Sequence, residues 1–216
     1  MADAVPQVPT PSFEQRRVAA AQYERANQVI RNGDYDYGIR LLRSCCKLDP
    51  YTIAYRQMLR QTEKRKYQGK RRGSPLAWLT KLVTKARLKA AARAGEHLRV
   101  LTLGEDVLVS NPWDVGTQLA MAEAADRLGL QSMAVWILEE ARGGETMDAR
   151  VNRALARLYE KRGNLSQAIA LWELVRKAVP TDTEASQKAT DLAAHETIQR
   201  AGYLAGIQRS RRADRQ

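Results

Sequence analysis

Arg150, Arg153 and Arg157 stand at steps of three and four. On a helix that spacing sets three guanidinium groups one above another. Like charges so aligned repel, so the stripe is not there for stability. Each guanidinium can grip a carboxylate through two parallel hydrogen bonds, so the chemistry offered is recognition of acidic groups. Glu123 and Asp126, on a neighbouring helix, are the expected internal partners that would neutralise and orient it. A second concentration of charge lies upstream. Between Lys64 and Arg93 there are eleven Lys or Arg and no Asp or Glu. Lys64, Arg65, Lys66, Lys70, Arg71 and Arg72 are its densest part. Such a run reads either as a solvated basic face or as an anion-binding patch for RNA, DNA, lipid headgroups or an acidic protein. Tyr67 and Trp78 are too few aromatics to argue base stacking.

No residue pattern supports catalysis. His97 and His195 are the two histidines, and neither has a metal-ligand partner at helical spacing. There is no Gly-rich phosphate loop, no Ser/His/Asp set and no CxxC. Cys45 and Cys46 are adjacent, and vicinal cysteines do not bridge without strain. They are expected to be reduced, with Cys45 packed as a small core residue. The chain is therefore read as a non-enzyme without cofactor or metal. Its 216 residues allow one or two domains, and its net charge of +12 points to an acidic or anionic partner. No apolar run follows a basic start, and no stretch approaches the ~20 apolar residues that span a bilayer. A cytoplasmic location is expected.

The elements that position these residues follow from a period. Gly95, Gly129 and Gly163 are each 34 residues apart. Val100, Ala134 and Ala168 keep the same step, as do Gly104, Leu138 and Trp172, and Val107, Ala141 and Val175. A period of this size means stacked units. Glycine tolerates φ > 0, so it ends one helix and lets the next fold back. Small residues at fixed offsets let that second helix lie close to the first. Pro112 and Pro180 close two of the units and suit the first turn of a following helix. One unit cannot bury its apolar stripe alone, so the units stack.

The repeat resembles the tetratricopeptide family. The unit 149–182 matches at Leu155, Ala156, Tyr159, Gly163, Leu165, Ala168, Trp172, Val175 and Pro180, with Asn152 where the family often has Trp. The units 115–148 and 81–114 match less well, with Gly104 at a site that wants a bulky residue. A further unit, 19–52, matches at Gly33, Tyr35, Gly38, Leu42, Cys45 and Pro50. The resemblance implies an all-α, right-handed superhelix of stacked helix-turn-helix repeats, about ten helices in all, acting as a peptide-binding scaffold. In the family the first helices line a concave groove. Carried onto this chain, the groove positions include Lys85, Lys89 and Arg93; Glu123, Asp126 and Arg127; and Arg150, Arg153, Arg157 and Lys161. The carboxylate clamp of the chaperone-tail type is incomplete here. Lys85 and Arg150 fall on two of its positions, but Lys89 replaces its Asn, and Ala120 and Ala154 replace its other partners.

Taken in order, residues 1–11 hold three prolines and read as a disordered lead-in. Ser12 starts the first helix, with Gln15 completing a capping box. The repeats then occupy 12–207. From Gly33 to Gly95 is 62 residues, 28 more than one period, so one unit is interrupted. A helix at about 51–67 is either an unpaired spacer or pairs with a helix at 75–94, across a basic insertion at 64–75. A terminal helix at 182–207 and a basic tail at 208–216 close the chain, which is read as the front part of a longer bacterial-type repeat protein. The function expected is a protein-interaction scaffold that takes an acidic or extended segment of a protein or peptide partner. The alternative is nucleic-acid or anionic-surface binding through 64–93.

Overall fold

Fourfold repetition of one turn organises the chain. Gly33, Gly95, Gly129 and Gly163 have φ of 86°, 72°, 75° and 73°. At each, the glycine N–H bonds the carbonyl three residues back, and the following N–H bonds the carbonyl five back: Gly33 to Ile30 with Asp34 to Val29, and Gly163 to Glu160 with Asn164 to Tyr159. This paired closure satisfies the orphan carbonyls of one helix while reversing the chain. Only glycine enters that backbone region without a Cβ penalty, so the periodic glycines fix where the helices fold back.

The computed structural model describes residues 10–67, 78–144 and 146–213, with side chains in 10–67, 82–144 and 146–198. Among them are ten helices and no strand: α1 Phe13–Arg31, α2 Tyr35–Leu48, α3 Ile53–Lys66, α4 Trp78–Arg93, α5 His97–Leu108, α6 Val115–Arg127, α7 Gln131–Arg142, α8 Ala149–Lys161, α9 Leu165–Ala178 and α10 Thr183–Ala213. They fall into two compact units, Met1–Ile137 and Leu138–Gln216. In the first, α1 packs on α2, α2 on α3, α4 on α5 and α5 on α6. In the second, α8 packs on α9 and α9 on α10. Among the described residues no helix is long and apolar enough to cross a membrane.

Each unit has its own apolar interior. Ala19, Ala26, Ile39, Leu42, Cys45 and Leu59 form one cluster between α1, α2 and α3. Leu155, Ala156, Ala168, Trp172, Val175 and Ala185 are fully buried in the second unit. There the Trp172 indole N–H donates to Glu160 at 2.6 Å, which satisfies the one polar atom of a buried ring. Asn152, in the family's Trp position, is also fully buried and donates to the Thr146 carbonyl at 2.9 Å.

Several boundaries differ from the sequence reading. Ser12 and Gln15 do form the reciprocal capping box. The prolines, however, precede the helices instead of starting them. Asp114 caps α6, and its carboxylate accepts from the Thr117 N–H at 2.9 Å. Asn111 accepts from the Trp113 N–H and turns the chain before the helix. Asp182 likewise caps α10, accepting from the Ala185 N–H at 3.0 Å. The terminal helix does not stop near 207. It runs through Gly202 and Gly206 to Ala213, because its neighbours there are strong helix formers and supply no competing cap. Residues 1–9 of the lead-in and 68–77 of the basic insertion, with Lys70, Arg71 and Arg72, lie outside the described residues.

α3 packs on α2 and reaches α5 through side chains, which neither alternative for it had named. Arg56 and Arg60, both buried, reach from α3 to Glu105 of α5. The Tyr67 hydroxyl donates to the Val109 carbonyl at 3.0 Å, and its ring meets Trp113. The helix that begins an incomplete unit is thus held to α5 by polar and ionic groups, while Tyr55 and Leu59 pack in the apolar cluster with α1 and α2.

Candidate functional site

A helix N-cap decides what happens to the first cation of each groove stripe. In the unit 81–114, Lys85 of α4 pairs with Asp114, the cap of α6, at 2.5 Å. In the unit 149–182, Arg153 of α8 pairs with Asp182, the cap of α10. The two pairs occupy the same places in the repeat, two 34-residue periods apart. In each, a carboxylate already holding the N-terminus of one first helix is gripped by the first helix before it. Lys85 and Arg153 are therefore committed to joining consecutive first helices. The Asp114 side chain is partly buried, which by itself would raise its pKa. Hydrogen bonds from Lys85 and Thr117 outweigh that and hold it below the usual carboxylate value.

The rest of the α8 stripe is also engaged. Arg157 pairs with Glu184 of α10 at 2.6 Å, and Arg153 reaches the same carboxylate at 3.6 Å. Arg150 bends back onto Asp148, the cap of its own helix, at 2.7 Å. The carboxylates meeting Arg153 and Arg157 in these pairs come from α10, the helix that follows. Arg157 stays more than half exposed, so its pair is a weak surface contact that a ligand carboxylate can displace.

On α4 the stripe is more open. Lys89 and Arg93 follow Lys85 at one-turn steps, both are exposed, and neither has an ion-pair partner among the described residues. Arg127 on α6 is exposed, as is Glu123, while Asp126 is half-buried. Lys161 on α8 is exposed. Arg93, Arg127 and Lys161, with Arg31 of α1, also end their helices, where a cation complements the helix dipole. Of the basic stretch, Arg65 is exposed, Lys64 is half-buried, and Lys66 pairs with Asp36 of α2 at 2.5 Å.

The sequence reading missed the ionic centre of the first unit. Arg56 binds Glu105 at 2.6 Å, Arg60 binds the other Glu105 oxygen at 2.9 Å, and Arg60 also binds Glu63. All four are buried. Its one visible signal was Arg56, Arg60 and Glu63 at steps of four and three, a single face of α3. Beside it Cys46 is buried, and Cys45 donates to the Ala19 carbonyl. Burial pushes the two thiols up to about 12 and about 11, which leaves them protonated and unreactive at neutral pH. Among the described residues no cluster of His, Cys, Asp or Glu could hold a metal ion.

The helix pairs, their glycine turns and the first-helix stripes define an all-α repeat protein of the tetratricopeptide fold. No protein-family model and no curated protein sequence matches the chain. Solved structures do. The first tetratricopeptide domain of RPAP3 bound to the HSP90 peptide SRMEEVD is 15% identical, covering 54% of this chain and 93% of that one, at a TM-score of 0.50. The first tetratricopeptide domain of human RPAP3, in a second structure, is also 15% identical, covering 56% and 95%, at 0.51. The Yersinia enterocolitica type III secretion chaperone SycD, in complex with a peptide of the translocator YopD, is 11% identical, covering 57% and 99%, at 0.51. At such identities the likeness establishes the fold, and the fold alone does not assign a function.

Proposed function

We propose that this chain is a non-enzymatic protein-interaction scaffold that takes an acidic, extended segment of a partner along the first-helix face of its repeats. The observation that carries this is the pair Lys89 and Arg93, exposed, one turn apart and without acidic partners among the described residues. Two aligned cations that no internal carboxylate neutralises repel each other, and a partner carboxylate relieves that repulsion. Two of the similar structures hold peptides, one of them the acidic SRMEEVD, which supports the reading.

The test is fluorescence anisotropy with a labelled, unstructured peptide rich in Asp and Glu, beside its Asn/Gln counterpart. The wild-type chain is expected to bind the acidic form, and the Lys89→Glu/Arg93→Glu variant to lose it. The substitutions are at exposed positions, so circular dichroism should be unchanged. If binding survives in that variant but is lost in Lys70→Ala/Arg71→Ala/Arg72→Ala, and single-stranded RNA competes with a steep salt dependence, the basic stretch is the working surface and the groove reading fails.

A further inference from the structure

One stripe of α4 differs from its counterparts in α6 and α8. Residues three, seven and ten of the unit are Thr117, Met121 and Ala124 in α6, and Val151, Leu155 and Leu158 in α8. All six are buried. In α4 the same positions are Val83, Arg87 and Ala90, and all three are exposed, Val83 by 57%. Leu82 beside them is 58% exposed and Ala86 is exposed.

The cause lies within the first unit. Met121 of α6 packs against Gly104 of α5, so closely that a Cβ on that glycine would lie 2.3 Å from the Met121 sulfur. A first helix is normally covered by the second helix of the unit before it. The helix before α4 in the chain is α3, itself a first helix, and its buried side chains are directed to α2 and α5. Among the described residues, the interruption of the repeat thus leaves no second helix directly before α4 to cover this stripe. Comparison with α1 shows what water alone requires. There the three positions are Ala21, Arg25 and Gln28, all exposed. α4 keeps the arginine but has valine and alanine at the flanks, with Leu82 adjoining.

We infer that this stripe docks an amphipathic helix of a partner protein, one that turns apolar residues to Val83, Ala86 and Ala90 and sets a carboxylate against Arg87. A helix fits because helical packing is what buries the equivalent positions of α6. Carboxylates fit because the chain from Lys64 to Arg93 carries eleven cations and no acid. A second copy is a poor occupant, since each copy carries +12 and this is among its most basic parts. Nucleic acid is a poor occupant too, since exposed aliphatic side chains neither stack on bases nor hold phosphates. Val83, Arg87 and Ala90 lie roughly a third of a turn around α4 from Lys85, Lys89 and Arg93, so they are separate from the groove face, and Ala86 lies on the border between the two.

The probe is a fluorescein-labelled peptide of about five helical turns, with Leu and Ala at helix-spaced positions and Glu on both flanks. A scrambled peptide of the same composition is the control. Wild-type chain is expected to bind the amphipathic peptide with a rise in helicity and to bind the scrambled one poorly. The Val83→Asn/Ala90→Gln variant, which changes no charge, should bind it about tenfold more weakly or worse. It should keep the wild-type melting temperature and still bind the unstructured acidic peptide of the groove assay. Ala86→Gln provides an independent exposed substitution with the same expected loss. Equal binding of the scrambled peptide, or no effect of either variant, overturns the inference. So does stripe-dependent binding to phosphatidylserine-containing vesicles without peptide binding. A concentration-dependent dimer abolished by Val83→Asn/Ala90→Gln would assign the face to a second copy and overturn it as well.

Discussion

The Arg153 guanidinium of α8 grips the Asp182 carboxylate at the N-terminus of α10, 29 residues further on. The contact converts a helix cap into a strap between consecutive first helices. Lys85 and Asp114 repeat it at the same separation. A stripe that looked in the sequence like free ligand-binding charge is thereby divided. Its first cation belongs to the fold, whereas Lys89 and Arg93 of α4 have no ion-pair partner among the described residues.

Removing a strap should cost stability in two separable parts. Asp114→Ala loses the N-cap of α6 and the Lys85 pair, an expected loss of about 1–2 kcal/mol. Asp114→Asn keeps a capping oxygen and loses mainly the ion pair, so its urea midpoint should fall between wild type and Asp114→Ala. Because the folded carboxyl lies below its ordinary value, its contribution is present above the unfolded pKa of about 4 and is lost as pH falls through the folded value. The difference between wild type and Asp114→Ala should therefore shrink under acid conditions.

Glu63 predicts the opposite slope at higher pH. Full burial pushes its carboxyl from 4.5 up to about 8, and the lowering pull of Arg60 does not offset this. Between those values the folded chain keeps a proton that the unfolded chain releases. Stability from this group is full below about 4.5 and declines as pH rises toward 8. Glu63→Gln, which keeps the shape without the ionisation, should flatten the fall in melting temperature from pH 5 to 8. An unchanged slope would show that Glu63 titrates normally.

Two glycine substitutions should move stability in opposite directions. Gly104→Ala sets a methyl against the buried Met121 side chain, with atoms at 2.3 and 2.4 Å, and should destabilise by about 1–3 kcal/mol despite its better helix propensity. Gly116→Ala meets nothing closer than 3.8 Å on an exposed turn of α6 and should stabilise by up to about 1 kcal/mol. Paired urea titrations measure both. Gly104 thus stands where the family wants a bulky residue because Met121 already fills the space.

The cysteines should report on unfolding and not on redox chemistry. Both thiols are buried and held protonated. Ellman's reagent is expected to label neither at neutral pH and both in denaturing urea. Labelling at a rate insensitive to urea would place them at the surface.

The sequence by itself determined the repeat. A glycine at φ > 0 and an aspartate capping the next N–H groups act through their immediate neighbours, so their spacing carries the positions of the turns and the helical class. The first-helix stripe of Lys85, Lys89 and Arg93 was legible for the same reason, since one helix fixes its own faces. Only the tertiary structure decided which of those charges are spent. Whether Arg153 meets Asp182, and whether Arg56 reaches Glu105, depends on how separate helices are set side by side. Pairing across helices has no fixed sequence offset, least of all where a unit is interrupted. The open face of α4 has the same origin. Val83 reads in the sequence like the buried Val151, and it is exposed because, among the described residues, no second helix directly precedes α4.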